Sequence, residues 1–246
     1  MKAIALIPAR LASTRLAEKL LIELDGKTVI QRTYEATLAT GLFASVVVVT
    51  DSDAIEEIIS SCGGTVLRST EAYESGTDRI AAVAAQLEAD VFLNVQGDEP
   101  FVQKQPLEQL LNLFQGAEGA AVRVASIRNP IADPALINSP NVVKVVCDLG
   151  GNSLLFSRSP IPYVRDEKVP NTYYQHIGVY AFRKEAVMLF PTLAMTPLEQ
   201  VEKSECLRFL ENGIPLKMTT VSQMGIGIDV AEDVERARAY LKENQK

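Results

Sequence analysis

Apolar runs and amphipathic stretches alternate through the first half of the chain. Residues 3–7 are continuously apolar. Residues 44–50 (Ala-Ser-Val-Val-Val-Val-Thr) are nearly so, as expected of strands covered on both faces. Residues 28–39 have helical spacing, and 53–62 predict a second helix that stops at Gly63-Gly64. A short strand at 65–68, an alanine-rich helix at 76–89, a buried strand at 91–95 and a helix at 106–115 continue the series. This βαβα order predicts an α/β fold with a doubly wound, mostly parallel sheet.

The rhythm changes further on. Residues 142–146 and 153–157 read as strands joined by the hairpin Cys147-Asp148-Leu149-Gly150-Gly151-Asn152. A proline- and charge-rich loop at 159–170 precedes a strand at 173–182. A long helix is expected from 197 to about 212, closed by Gly213, then a strand at 215–221 and a terminal helix at 230–242. The expected organisation is a first domain of residues 1–120 and 213–246, interrupted by a smaller mixed α+β subdomain at 121–212.

Composition narrows the partners. The 246 residues are 47% hydrophobic, enough for a sizeable core, and carry a net charge of −7. That charge argues against nucleic acid or a membrane surface as general partners. An anionic ligand must then be held by a local cation cluster, helped by a metal ion. Cys62, Cys147 and Cys206 are odd in number, far apart and without a CxxC pair, which points to a reducing, cytoplasmic setting. The short apolar run after Met1-Lys2 is cut by Pro8 and Arg10, so it is read as a strand and not as a signal or membrane segment.

Candidate chemistry clusters where apolar runs end. Arg10, Arg15 and Lys19 follow the first strand, at the place where open α/β sheets bind ligands. They fit a polyphosphate site and equally a solvated basic loop. Asp98 ends another strand, where it is either a turn residue before proline or, beside phosphate, a magnesium ligand. Asp229, with Glu232 three residues on, fits a helix capping box, which does not exclude metal binding. Ser75-Gly76-Thr77-Asp78-Arg79 opens a helix that Ser75 or Thr77 could cap. Arg79 in its first turn opposes the dipole preference and hints at another task. His176, the only histidine, shares a strand face with Tyr174, Gly178 and Tyr180. It is a core residue or a polar pocket wall. Glu205 falls in a helical stripe with Leu198, Val201 and Phe209, with Glu202 at its edge. A carboxylate there needs a buried partner or a polar cavity.

Taken in order, Ile7-Pro8-Ala9-Arg10…Ser13-Thr14-Arg15…Lys19, Ser75 to Arg79 and Asn94-Val95-Gln96-Gly97-Asp98-Glu99-Pro100 resemble the 3-deoxy-manno-octulosonate cytidylyltransferases, or CMP-KDO synthetases. The resemblance continues through Pro140 to Val146, Phe156-Ser157-Arg158-Ser159-Pro160-Ile161-Pro162, His176-Ile177-Gly178-Val179-Tyr180, Leu198-Glu199 to Arg208, and Gly227-Ile228-Asp229 with Glu232-Asp233, so it spans nearly the whole chain. It implies a nucleotide-diphospho-sugar transferase type of fold. The implied activity is Mg²⁺-dependent transfer of CMP from CTP to the anomeric hydroxyl of KDO, for lipopolysaccharide synthesis, by a cytoplasmic homodimer joined through its smaller subdomain. By matching positions, Ala9, Arg10, Arg15, Lys19, Ser75, Arg79 and Gln96 would bind the nucleotide. Asp98 and Asp229 would hold magnesium and, with Lys19, form the catalytic group. Gln96, Arg158, His176, Tyr180 and Glu205 would surround the sugar acid.

Three departures stand out. The family's Pro-Gly before the phosphate lysine and the Pro after it read Ala17-Glu18 and Leu20 here. Its Glu-Gln-Leu-Arg reads Glu205-Cys206-Leu207-Arg208, and its Asp-Thr-Pro-Glu-Asp reads Asp229-Val230-Ala231-Glu232-Asp233. They leave open a cytidylyltransferase for a related ulosonic acid, such as an 8-amino analogue of KDO, or a non-catalytic nucleotide-binding relative.

Overall fold

The computed structural model of the protein describes residues 1–11, 16–69, 71, 73, 75–222 and 225–244. The chain forms two compact units, Met1–Leu107 with Met224–Lys246, and Glu108–Gln223. The boundaries expected near residues 120 and 213 lie instead within a helix begun at Lys104 and beyond a strand ending at Thr220.

In the first unit, β1 (Ala3–Ala9) is buried along its whole length. A 3₁₀ turn at Lys19–Leu21 leads into a small hairpin of β2 (Glu23–Leu24) and β3 (Lys27–Thr28). Its turn is Asp25-Gly26, both at positive φ (51° and 74°), the backbone that two-residue hairpin loops require. There follow α1 (Val29–Ala39), β4 (Ser45–Thr50), α2 (Asp53–Ser61), β5 (Thr65–Arg68), α3 (Gly76–Ala84), β6 (Val91–Asn94) and the first turn of α4 (Lys104–Asn112), within which the boundary falls. Four strands pair in parallel in the order β6-β1-β4-β5. The chain runs from β1 outward through β4 to β5, then returns to β6 on the other side of β1. The strand order therefore reverses between β1 and β6, and ligands of open α/β sheets bind at the carboxyl end of such a crevice. A C-terminal helix, Ala231–Asn244, completes the unit.

The second unit contains α5 (Gly116–Gly119), β7 (Val124–Pro130), α6 (Pro134–Ile137), β8 (Lys144–Cys147), β9 (Ser153–Ser157) and β10 (Tyr174–Arg183). Helix α7 (Lys184–Leu189), α8 (Pro197–Glu202), α9 (Cys206–Glu211) and β11 (Lys217–Thr220) follow. Strand β7 pairs in parallel with β11 and antiparallel with β10, while β8 and β9 form the expected hairpin. The parallel β7–β11 pair is why residues 213–223 fold with this unit. Strand β7 has no counterpart in the hydrophobic pattern, because Ser126 sits at its buried centre. The Ser126 hydroxyl is satisfied by the Val179 carbonyl at 2.8 Å and the Ile177 carbonyl at 3.1 Å.

The long helix expected at 197–212 is two short ones. Helix α8 ends at Lys203, whose φ of 51° is left-handed, and α9 restarts at Cys206. The Leu198–Val201–Glu205–Phe209 stripe is therefore broken. Leu198 and Val201 are 43% and 80% exposed, while Phe209 is buried in contact with Phe182 and Phe190. The buried carboxylate is Glu199. Arg208 grips it with both arms, Nε to Oε2 at 2.8 Å and Nη2 to Oε1 at 2.7 Å, and lies over the Phe190 ring. This pair clamps α8 to α9 across the break.

Two outcomes follow from this geometry. Arg208→Met leaves the Glu199 carboxylate buried without its cation and is expected to cost about 3–5 kcal/mol. Adding Glu199→Leu should recover most of that loss in urea denaturation; no recovery would show that Arg208 acts through packing alone. Separately, Glu18 holds a left-handed backbone (φ 49°) where the resemblance places glycine. Glu18→Gly removes a steric cost of about 1 kcal/mol and should raise the urea midpoint without changing the m-value.

Candidate active site

In a parallel sheet every strand delivers its following residue to the same rim. Arg10 follows β1, Asp51 follows β4, Ser69 follows β5, and Gln96 and Asp98 follow β6. A cavity of about 430 Å³ opens there. It is lined by Ala9, Arg10, Lys19, Ser75, Arg79, Gln96, Asp98 and Asp229, with Tyr73, Leu20, Gly76 and Gly97 among its walls. All the nucleotide and metal candidates except Arg15 thus meet in one place. Arg15 lies outside the described residues.

Lys19 occupies the centre of this rim. Its ammonium donates to an Asp98 carboxylate oxygen and, at 3.1 Å, to Asp229 Oδ1. Burial works against the charge on Lys19, but the two carboxylates outweigh it and raise its pKa. A backbone bond fixes the approach of the two acids: the Ile228 N–H donates to the Asp98 carbonyl at 2.8 Å, which sets Asp229 beside Asp98. Gly97 lets the β6 loop pass close to β1, since a Cβ there would lie 3.0 Å from the Pro8 carbonyl oxygen.

The carboxylate that reaches back ahead of the last helix is Asp233 and not the expected Glu232: Asp233 Oδ2 accepts from the N–H groups of Asp229 (3.0 Å) and Val230 (3.1 Å), while Asp229 Oδ1 faces Lys19. Glu99, next along from Asp98, was not singled out by the sequence. Desolvation, joined by the Asp98 and Asp233 charges and opposed by Lys19, pushes its carboxyl up to about 8, so it holds a proton at neutral pH.

Ser75 caps α3, accepting from the Asp78 N–H at 3.1 Å. Arg79 in the first turn is 4% exposed. It donates to Ser69 Oγ and, at 3.0 Å, to Asp51 Oδ2, and its guanidinium faces the Tyr73 ring. The Asp51 carboxylate answers the unfavourable helix dipole and holds the Arg79 side chain as one wall of the cavity. Asp51, Ser69 and Tyr73 were not foreseen, although the first two stand at strand carboxyl ends, the signal that identified Asp98.

The remaining candidates belong to the second unit. The His176 residue is half-buried, yet its ring is enclosed by Phe156 (centroids 4.8 Å), Tyr180 (5.4 Å) and Ser126, whose Oγ lies 2.9 Å from Nε2. Desolvation pushes its pKa down to about 3, so the imidazole is neutral at pH 7. Tyr180 is buried and bonded to Cys206. The Cys206 thiol, 1% exposed and 3.2 Å from Ser204 Oγ, is raised to about 12 by burial and is unreactive. Glu205 stands at the start of α9, and its charge is felt by Tyr180 and Cys206.

Arg158 is held on three sides. Its Nε donates to the Glu202 carbonyl at 2.8 Å, its Nη1 to the Pro140 carbonyl at 2.6 Å, and its backbone N–H to Glu202 Oε2 at 2.8 Å. Lys144 is fully buried and donates to the carbonyls of Ser139, Val142 and Arg158. The Glu202 carboxylate also accepts from Ser157 Oγ at 2.6 Å.

Among the described residues no helix is long and apolar enough to cross a membrane. All three cysteines are free.

Residues 4–221 match the family model described as cytidylyltransferase. The chain is 52% identical over 243 residues to the 3-deoxy-manno-octulosonate cytidylyltransferase of Flavobacterium johnsoniae, covering 99% of this chain and all of the relative. It is 47% identical to the protein of the same name from Christiangramia forsetii, covering 97% and 96%. A solved CMP:2-keto-3-deoxy-manno-octonic acid synthetase complexed with CTP superposes with a TM-score of 0.93 at 36% identity, covering 99% of this chain and 100% of that one. A 4-diphosphocytidyl-2C-methyl-D-erythritol synthase from Anaerococcus prevotii shares the fold, with a TM-score of 0.66 at 16% identity and 98% coverage of both chains. With identity sustained end to end and a cation-and-carboxylate cavity at the sheet's switch point, the chain belongs to the 3-deoxy-manno-octulosonate cytidylyltransferase family of nucleotidyltransferases.

Proposed function

We propose that the protein transfers CMP from CTP to the anomeric hydroxyl of KDO, releasing pyrophosphate, and so supplies an activated sugar for lipopolysaccharide assembly. The observation that carries this reading is the single cavity in which Arg10, Lys19, Ser75, Arg79, Gln96, Asp98 and Asp229 meet. The printed names of the relatives and the CTP held by the structural neighbour support it.

The donor set fits magnesium. Asp98 and Asp229 are hard oxygen donors already drawn to one cation, the Lys19 ammonium. Among the described residues no cluster of three or more potential ligands forms a closed metal cage. Two protein carboxylates with the remaining positions left to phosphate and water is the usual magnesium arrangement. Bound there, the ion would neutralise phosphoryl charge and lower the pKa of the attacking hydroxyl.

The rest is done by the chain itself. Arg10 and Lys19, with Arg15 by resemblance, neutralise the triphosphate. Ala9 belongs to the same nucleotide-binding rim. Arg79 and Ser75 select the base, with Arg79 held rigid by Asp51 and Ser69, and Gln96 adds an amide to the wall. In the second unit Arg158 supplies a fixed cation for the sugar carboxylate. His176, neutral and bonded to Ser126, backs the sugar site together with Tyr180 and Glu205. Positioning and charge stabilisation carry the transfer, with the hydroxyl attacking the α-phosphorus in line.

Cys206 bears on the choice of sugar. Its thiol packs inward against Tyr180 and Ser204, which supports KDO over an acid altered to suit that residue. The free cysteines support a reducing, cytoplasmic setting.

Asp98→Asn and Asp229→Asn should each lower kcat for CMP-KDO formation by about 10²-fold or more, with melting temperatures little changed. Pyrophosphate release in the presence of CTP, Mg²⁺ and KDO is the measurement. If Asp229→Asn stays active, Asp229 is not a metal ligand. Arg79→Ala should raise the KM for CTP and narrow its advantage over UTP. An unchanged CTP/UTP ratio of kcat/KM would remove Arg79 from base selection.

A further inference from the structure

The cavity contains a contact that the transfer reaction does not explain. Lys19, assigned to the triphosphate, is bound by the two carboxylates assigned to the metal. The lysine side chain is 15% exposed, against 26% for Asp98 and 38% for Asp229. The pair is therefore partly buried and screened less by solvent than a surface pair would be. The contact is also built in by the fold. Lys19 enters through the 3₁₀ turn, and the Ile228–Asp98 backbone bond brings the second carboxylate beside the first.

An ammonium and a divalent ion drawn to the same two carboxylates compete, because their mutual repulsion in a partly desolvated site offsets part of what the second cation gains. A metal ion that enters therefore favours release of Lys19, and a released ammonium in a partly buried pocket needs another anion. The triphosphate is such an anion, and Arg10 lies on the same cavity wall to guide it in.

We propose that Lys19 is a two-position cation: it occupies the Asp98–Asp229 carboxylate pair until nucleotide arrives, then moves to the triphosphate and frees the pair for a divalent ion. The inference rests on the assignment of the metal to Asp98 and Asp229. It adds a consequence for binding order: metal and CTP enter cooperatively, and the nucleotide-free protein holds metal weakly. Lys19 in this role keeps the carboxylate pair neutralised and in place when no nucleotide is bound.

The test is Mn²⁺ binding followed by electron paramagnetic resonance on the full-length protein without nucleotide. Lys19→Met keeps the length of the side chain and removes its charge, and is expected to bind Mn²⁺ about ten-fold more tightly than the parent. Adding Asp98→Asn should abolish that gain. Lys19→Gln, which keeps a polar end, serves as a second variant should Lys19→Met fold poorly. Equal Mn²⁺ affinity of the parent and both Lys19 variants, at a site that Asp98→Asn still destroys, would overturn the two-position role and leave the metal assignment standing. If Asp98→Asn has no effect on Mn²⁺ binding in any of these proteins, with or without CTP, the metal assignment itself fails and the inference falls with it.

Discussion

Lys19 donates to two carboxylates that lie 79 and 210 positions further along the chain. The first unit is arranged around that meeting. Strand β1 must be buried on both faces so that its end can deliver the lysine loop to the rim. Strand β6 must lie beside it so that Asp98 arrives at the same edge, and the segment before the last helix must return so that Asp229 faces both. The parallel sheet achieves the first two because all its strands end on one side. The third depends on a backbone bond between Ile228 and Asp98 and on Asp233, whose carboxylate holds the N–H groups of Asp229 and Val230.

The second unit solves a different problem, that of burying polar groups without leaving them unsatisfied. Lys144 is enclosed and its ammonium is spent on three backbone carbonyls. Glu199 and Arg208 meet in a forked pair, and His176 shares its Nε2 with Ser126. Such groups contribute little net stability but strongly penalise other packings, because each loses its partner if the elements shift. The arrangement holds Arg158, His176 and Tyr180 in fixed orientation.

The departures from the family pattern have distinct physical consequences. Glu18 adopts a left-handed backbone without the freedom of glycine and adds a carboxylate before Lys19. Cys206 replaces a polar amide with a thiol that the core absorbs, bonded to Ser204 and Tyr180. Ala231, in place of the proline, begins the C-terminal helix, where Asp233 supplies the capping carboxylate. The acids and Lys19 of the cavity remain in place through all three.

Much of the first unit was legible in the amino-acid order, because strands buried on both faces need continuous apolar runs and the helices between them carry a 3.6-residue period. The rim residues Arg10, Lys19 and Asp98 could be placed near one another for the same reason, since a parallel sheet puts every strand's carboxyl end on one edge, whereas Asp229, which follows no strand, joined them only through the resemblance. Strand β7 escaped notice because a serine stands at its buried centre, and only the carbonyls of β10 make that burial tolerable. The broken helix at Lys203 escaped because an apolar repeat of the right spacing continued across the break, while the Glu199–Arg208 clamp holds the two pieces in another geometry. Which carboxylate caps a helix, which faces a lysine and which is driven to keep its proton were decided only by tertiary structure. Local sequence sets what a side chain can do, whereas its charge state and partner depend on distances between residues far apart in the chain.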